Sequence, residues 1–93
     1  MGRDFSDFLA EAFVKQLVEA RTAKGISINK LAWMSGVSPK AIAFIEQGVH
    51  SPTLKTFLRL VLALELDLSQ ALEQILNDKK QRLESVDDEL GEE

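Results

Sequence analysis

The stretch that most constrains this chain is Gly25 to Thr53, GISINKLAWMSGVSPKAIAFIEQGVHSPT. Ser27 and Ser38 each stand just before a short run that can form two turns of helix, and Gly36 and Gly48 follow those runs. Serine at a helix start accepts a hydrogen bond from a free backbone N–H. Glycine at a helix end takes the left-handed conformation that a side chain opposes. The spacing predicts helices over Ile28 to Ser35 and Pro39 to Gln47, with Pro39 at a first helical position, where its missing N–H costs nothing.

The flanking segments carry helical periodicity too. Phe5, Phe8, Leu9, Ala12, Phe13, Leu17 and Ala20 recur at three- and four-residue steps and form one apolar stripe. They predict a first helix from near Ser6 to about Lys24, stopped by Gly25. Thr53 caps a fourth helix from Leu54 to about Leu64. Asp67 or Ser69 opens a fifth, whose pattern of Leu68, Leu72, Ile75 and Leu76 continues weakly through Leu83 and Val86. The end, DDELGEE, is expected to fray. No segment alternates like a strand, so the fold class is all-α with five helices.

Composition narrows the function classes. The 93 residues, 45% of them hydrophobic, suffice for one small core, and domains of this size often supplement their burial by dimerising. Without cysteine there is no disulfide, thiolate metal site or cysteine nucleophile. The lone histidine, His50, has no second ligand at metal-binding spacing, so no cofactor or metal is expected. The carboxylates crowd the tail, where nothing separates their pKa values, so no catalytic set is read. Leu54 to Leu68 is too short and too charged to span a bilayer, no secretory leader is read at the start, and the expected compartment is the cytoplasm.

Charge is unevenly placed. The net charge is -4, yet residues 21–60 hold Arg21, Lys24, Lys30, Lys40, Lys55 and Arg59 against Glu46 alone. Residues 61–93 hold ten acidic and three basic residues. A basic segment inside an acidic protein is a usable footprint for phosphates, and it coincides with the two short helices.

Two such helices joined by a glycine turn form a helix-turn-helix, a scaffold that presents its second helix to the DNA major groove. From Leu17 to Leu68 the chain resembles the phage-repressor/Cro (XRE) family. The features that carry the resemblance are RTAKG at Arg21 to Gly25, Ser27, Leu31-Ala32, Gly36-Val37-Ser38, Ile42, Ile45-Glu46, Gly48, Pro52, Leu54 and the run Leu58 to Leu64. The resemblance implies a repressor-like domain over 17–76, with 1–16 extending the first helix and 77–93 forming an acidic helix end and tail.

It further implies a sequence-specific transcriptional regulator, a homodimer on double-stranded palindromic DNA. Carried over by position, Ser38, Pro39, Lys40, Ala41 and Phe44 face base edges. Asn29, Lys30, Gln47, His50, Ser51 and Lys55 meet phosphates. Arg21 and Glu46 match a partly buried ion pair. Ala32 is small because the second and third helices cross closely there, and Val37, Ile42 and Ile45 point inward.

The sequence departs from that pattern on its outward face. Ile28 stands where a phosphate-gripping glutamine is common, and Lys30 stands where an acidic residue would complete a capping box. Lys40 is the one side chain with clear polar reach to a base, while Pro39, Ala41 and Phe44 can touch thymine methyl groups. Three readings of Ile28, Trp33, Pro39 and Phe44 stay open: DNA read through methyl contacts and shape, a surface for a protein partner, and mutual packing of Trp33 and Phe44 or packing on the N-terminal segment. The partner reading makes the chain an antitoxin-like subunit that binds a toxin, or an adaptor. Leu62, Leu66, Leu72 and Leu76 are candidate dimer contacts, with Leu83, Val86 and Leu90 continuing a heptad that Lys79 interrupts.

Overall fold

A computed structural model describes the backbone of residues 4–90 and the side chains of residues 4–80. The described residues form five helices and no strand: α1 (Phe5–Ala23), α2 (Ile28–Ser35), α3 (Pro39–Glu46), α4 (Leu54–Leu64) and α5 (Leu68–Leu90).

Local chemistry sets most boundaries. Ser27, Ser38 and Thr53 accept from the backbone N–H groups of Lys30, Ala41 and Thr56 at 3.0, 3.1 and 3.1 Å. Asp67 does the same for Gln70 at 3.0 Å, which settles the start of α5. The first helix starts at Phe5, the first residue of its apolar stripe and one before the expected Ser6. Asp4 is its cap, in a reciprocal box with Asp7, and the Ser6 hydroxyl donates to Asp4 at 2.6 Å. That hydroxyl and the Asp7 N–H hold the Asp4 carboxyl below its ordinary pKa. The third helix closes one residue earlier than expected, with Gln47 as its C-cap. The fifth continues to Leu90, so residues 87–90 are helical where fraying is expected; Gly91, Glu92 and Glu93 lie outside the described residues. α1 and α5 run unbroken across the 16/17 and 76/77 boundaries.

Three helix ends share one closure. The N–H groups of Ile26, Val49 and Leu66 reach back five residues, to Arg21, Phe44 and Val61, at 3.0, 2.9 and 3.0 Å. Such a closure needs a left-handed residue just before the donor. Gly25 and Gly48 supply it twice, and Glu65, at φ 54°, supplies it the third time.

Leu17, Leu31, Val37, Ile42, Ile45, Leu60, Val61 and Leu64 form one buried cluster from α1 through α4. Ala71 and Ile75 of α5 are buried as well. Ala32 packs half-buried on this cluster. α5 lies along α1, where Gln16 donates to Gln74 at 3.5 Å and Lys79 sets its ammonium over the Phe8 and Phe5 rings at 4.8 and 5.3 Å. Lys79 interrupts the leucine heptad because it serves this contact with α1.

Candidate nucleic-acid interface

α2 and α3 are tied to the body by inward apolar residues and by one ion pair. Arg21 sits in the last turn of α1 and Glu46 at the end of α3. The guanidinium donates from Nε to Oε2 at 2.7 Å and from Nη2 to Oε1 at 2.9 Å, while Nη1 donates to the Ile26 carbonyl at 2.9 Å. Both side chains are 15% exposed. The hydrogen bond to Glu46 raises the Arg21 pKa above its ordinary value. One arginine thus fixes the end of α3 and the entry to α2 together. The bidentate geometry is what Arg offers and Lys does not.

With Ile42 and Ile45 buried, the helical period decides what α3 turns outward. Lys40, Ala43, Phe44 and Gln47 share the opposite side. Lys40 is exposed, and its ammonium lies 5.6 Å from the centroid of the half-buried Phe44 ring. His50 meets the same ring edge-on at 5.2 Å, and the Phe44 carbonyl accepts from the Val49 N–H at 2.9 Å. Phe44 therefore joins α3 to the turn that carries His50 and Ser51. His50 and Ser51 also line a cleft of ≈ 470 Å³ with Val14, Lys15 and Val18 of α1.

The other expected contacts fall in three places. Ser38 and Pro39 are exposed at the start of α3, although the Ser38 hydroxyl is engaged in its cap. Asn29 and Lys30 are exposed at the start of α2, and Ser51 and Lys55 are exposed before and within α4. Gln47, assigned to phosphate by position, lies on the same side of the helical period as Lys40 and Phe44. Ala43, which the sequence also sets among the apolar positions expected to face DNA, lies there too.

Two outward assignments are corrected. Ile28 packs against the core, because it lies one turn before the buried Leu31 on the same side of α2. Ala41 also packs on the core cluster, beside Ile42. Trp33, in contrast, is 82% exposed, which overturns its packing on Phe44 or on the N-terminal segment.

Of the candidate dimer leucines, Leu62, Leu72 and Leu76 are exposed, while Leu66 packs half-buried on its own core. The side chains of Leu83, Val86 and Leu90 lie outside the described residues. Among the described residues no three His, Asp or Glu side chains gather as a metal site, and no helix is long and apolar enough to cross a membrane.

Comparison with known proteins agrees with this architecture. A helix-turn-helix family profile matches residues 17–71. The chain is also similar, at 41% identity over 61 residues, to a protein of Haemophilus influenzae described as an uncharacterized HTH-type transcriptional regulator. That alignment covers 66% of this chain and 62% of the relative, so the chain spans less than two thirds of the relative's length. No solved structure matches the chain significantly.

Proposed function

The chain belongs to this helix-turn-helix family, of the phage-repressor/Cro (XRE) type, and from that premise we propose that it is a cytoplasmic, sequence-specific DNA-binding transcriptional regulator. It works as a homodimer on a two-fold symmetric operator. The supporting observation is the outward side of α3: Lys40 stands exposed one residue inside the helix start, held over Phe44, on the segment that carries the basic excess.

The mechanism is occupancy. Lys40 reaches an acceptor pair such as guanine O6 and N7, with Phe44, Ala43 and Gln47 filling the rest of the groove face. Asn29, Lys30, His50, Ser51 and Lys55 contact the phosphate backbone and set the register, which carries affinity but little sequence information. Two copies read two half-sites spaced by about one helical turn.

Selection from random double-stranded DNA tests this reading. The expected result is a two-fold symmetric consensus whose affinity falls with log salt in proportion to the phosphates contacted. A pool without enrichment over a scrambled control would refute it. The second reading, a toxin-binding or adaptor subunit on the same scaffold, is favoured by Trp33, since exposed tryptophan is enriched at the centres of protein interfaces.

A further inference from the structure

Three leucines of α4 stand in one exposed line. Leu54, Leu58 and Leu62 are 72%, 40% and 76% exposed. Their four-residue spacing stacks them along one side of the helix over about 12 Å. The core side of α4 is already supplied by Leu60, Val61 and Leu64. The outer stripe is therefore surplus to what the monomer packs, and contiguous exposed apolar side chains mark interaction surfaces.

Charge changes sign along that stripe. Lys55 lies beside its N-terminal end, and the exposed Glu65 lies just past its C-terminal end. A line of identical residues with opposite charges at its ends complements itself in one orientation. If two copies run antiparallel about Leu58, Leu54 meets the partner's Leu62, and Lys55 lies toward the partner's Glu65. A parallel pair would set Lys55, Arg59 and Glu65 each beside its like, whereas the antiparallel pair sets only Arg59, exposed next to Leu58, near the partner's Arg59.

We propose that α4 pairs antiparallel with α4 of a second copy of this chain along Leu54, Leu58 and Leu62, with Lys55 facing the partner's Glu65. This rests on the homodimer reading and deepens it, moving the seam from the α5 leucines to α4. It also gives Leu62 neighbours that the heptad reading did not include. A stripe this short makes a small interface, so the free protein associates weakly.

Sedimentation equilibrium without DNA tests the pairing, so any role of Lys55 toward phosphate does not enter. Across a concentration series, the wild type is expected to rise from the single-chain mass toward twice that mass, and Leu62→Glu to stay at the single-chain mass. Position 62 is exposed, so the circular-dichroism melt of Leu62→Glu is expected to keep its cooperativity. Lys55→Glu and Glu65→Lys each weaken association, and the double variant restores it. A single-chain wild type, a dimer indifferent to Leu62→Glu but lost in Leu76→Glu, or absence of rescue in the charge swap would each overturn the proposal. A single-chain protein that still selects an operator leaves DNA reading intact and ends this pairing; a dimer sensitive to Leu62→Glu that selects no sequence supports the pairing and ends the DNA reading.

Discussion

Arg21 and Glu46 meet through two parallel hydrogen bonds, at 2.7 and 2.9 Å, across 25 positions of sequence. The pair joins the end of α1 to the end of α3, and the third contact of Arg21, to the Ile26 carbonyl, holds the intervening turn. Breaking a fully buried pair by removing one partner costs about 3–5 kcal/mol. Here each side chain keeps 15% exposure, so water takes up part of the orphaned charge. Arg21→Ala is expected to cost about 2–3 kcal/mol in chemical denaturation. Arg21→Ala with Glu46→Ala is expected to cost less than the sum of the single changes, because no charge is left alone. Additive single effects would show that the two residues act independently.

Phe44 is expected to act through Lys40. Its ring holds the Lys40 ammonium at 5.6 Å and His50 at 5.2 Å, so the ring orders a cation that a bare surface lysine would leave free. Lys40→Ala should relax preference at one base position by about 1–3 kcal/mol. Phe44→Leu keeps an apolar side chain and loses the π face. It should relax the same position by a smaller amount, and the double variant should add little to Lys40→Ala. A loss confined to a different base would mean that Phe44 reads DNA itself. In the free protein, loss of the ring-current shift of the Lys40 side-chain protons in Phe44→Leu checks the contact by NMR without DNA.

The turn after α4 carries a removable strain. Glu65 occupies, at φ 54°, the left-handed position that Gly25 and Gly48 fill in the equivalent closures. An L-residue there costs about 1–2 kcal/mol, partly offset by the entropy that glycine loses on folding. Glu65→Gly is expected to raise stability by about 0.5–1 kcal/mol at a dilution where chains do not associate. The reverse holds for Gly36, whose φ is 76°. A Cβ there meets no atom within 4 Å, so Gly36→Ala pays the conformational cost alone, about 1 kcal/mol. Unchanged denaturation midpoints for both variants would show that these turns carry no strain.

These cases show which parts of the molecule could be read from the sequence. The caps at Ser27, Ser38 and Thr53 and the stops at Gly25 and Gly36 are local chemistry, so the bounds of α2 and the start of α4 follow directly. Arg21 and Glu46 are far apart in sequence, so the family resemblance rather than local physics pairs them. Comparison by position sets Ile28 on the outward face, where glutamine is common, whereas the helical period relative to Leu31 turns it inward. Lys79 looked like a break in a heptad because its partners, Phe5 and Phe8, sit on the opposite end of the chain. The leucine stripe of α4 is only partly legible: Leu62 stands out as a dimer candidate, but the sequence gives Leu54 and Leu58 no side of the helix, which the burial of Leu60, Val61 and Leu64 fixes.

Trp33 separates the two functional readings without disturbing the fold. It is 82% exposed on α2, beside the exposed Met34 and one turn from Asn29 and Lys30. Exposed substitutions away from caps and cores usually change stability by less than about 0.5 kcal/mol, so Trp33→Ala should melt as the wild type does. If the chain is a regulator whose α2 touches DNA only near the helix start, Trp33→Ala should change operator affinity by less than about threefold, well inside the tenfold that 1.4 kcal/mol represents. Lys55→Ala, by contrast, should weaken all sequences alike, because it removes a phosphate contact and takes the cation from the partner's Glu65. If the chain is chiefly a partner-binding subunit, the order inverts: Trp33→Ala removes the anchor and costs about 2 kcal/mol or more in complex formation, while Lys55→Ala is silent there. Measuring both variants in DNA titrations and in co-purification with proteins encoded beside this chain assigns the surface, because each reading needs one of the two residues and is indifferent to the other.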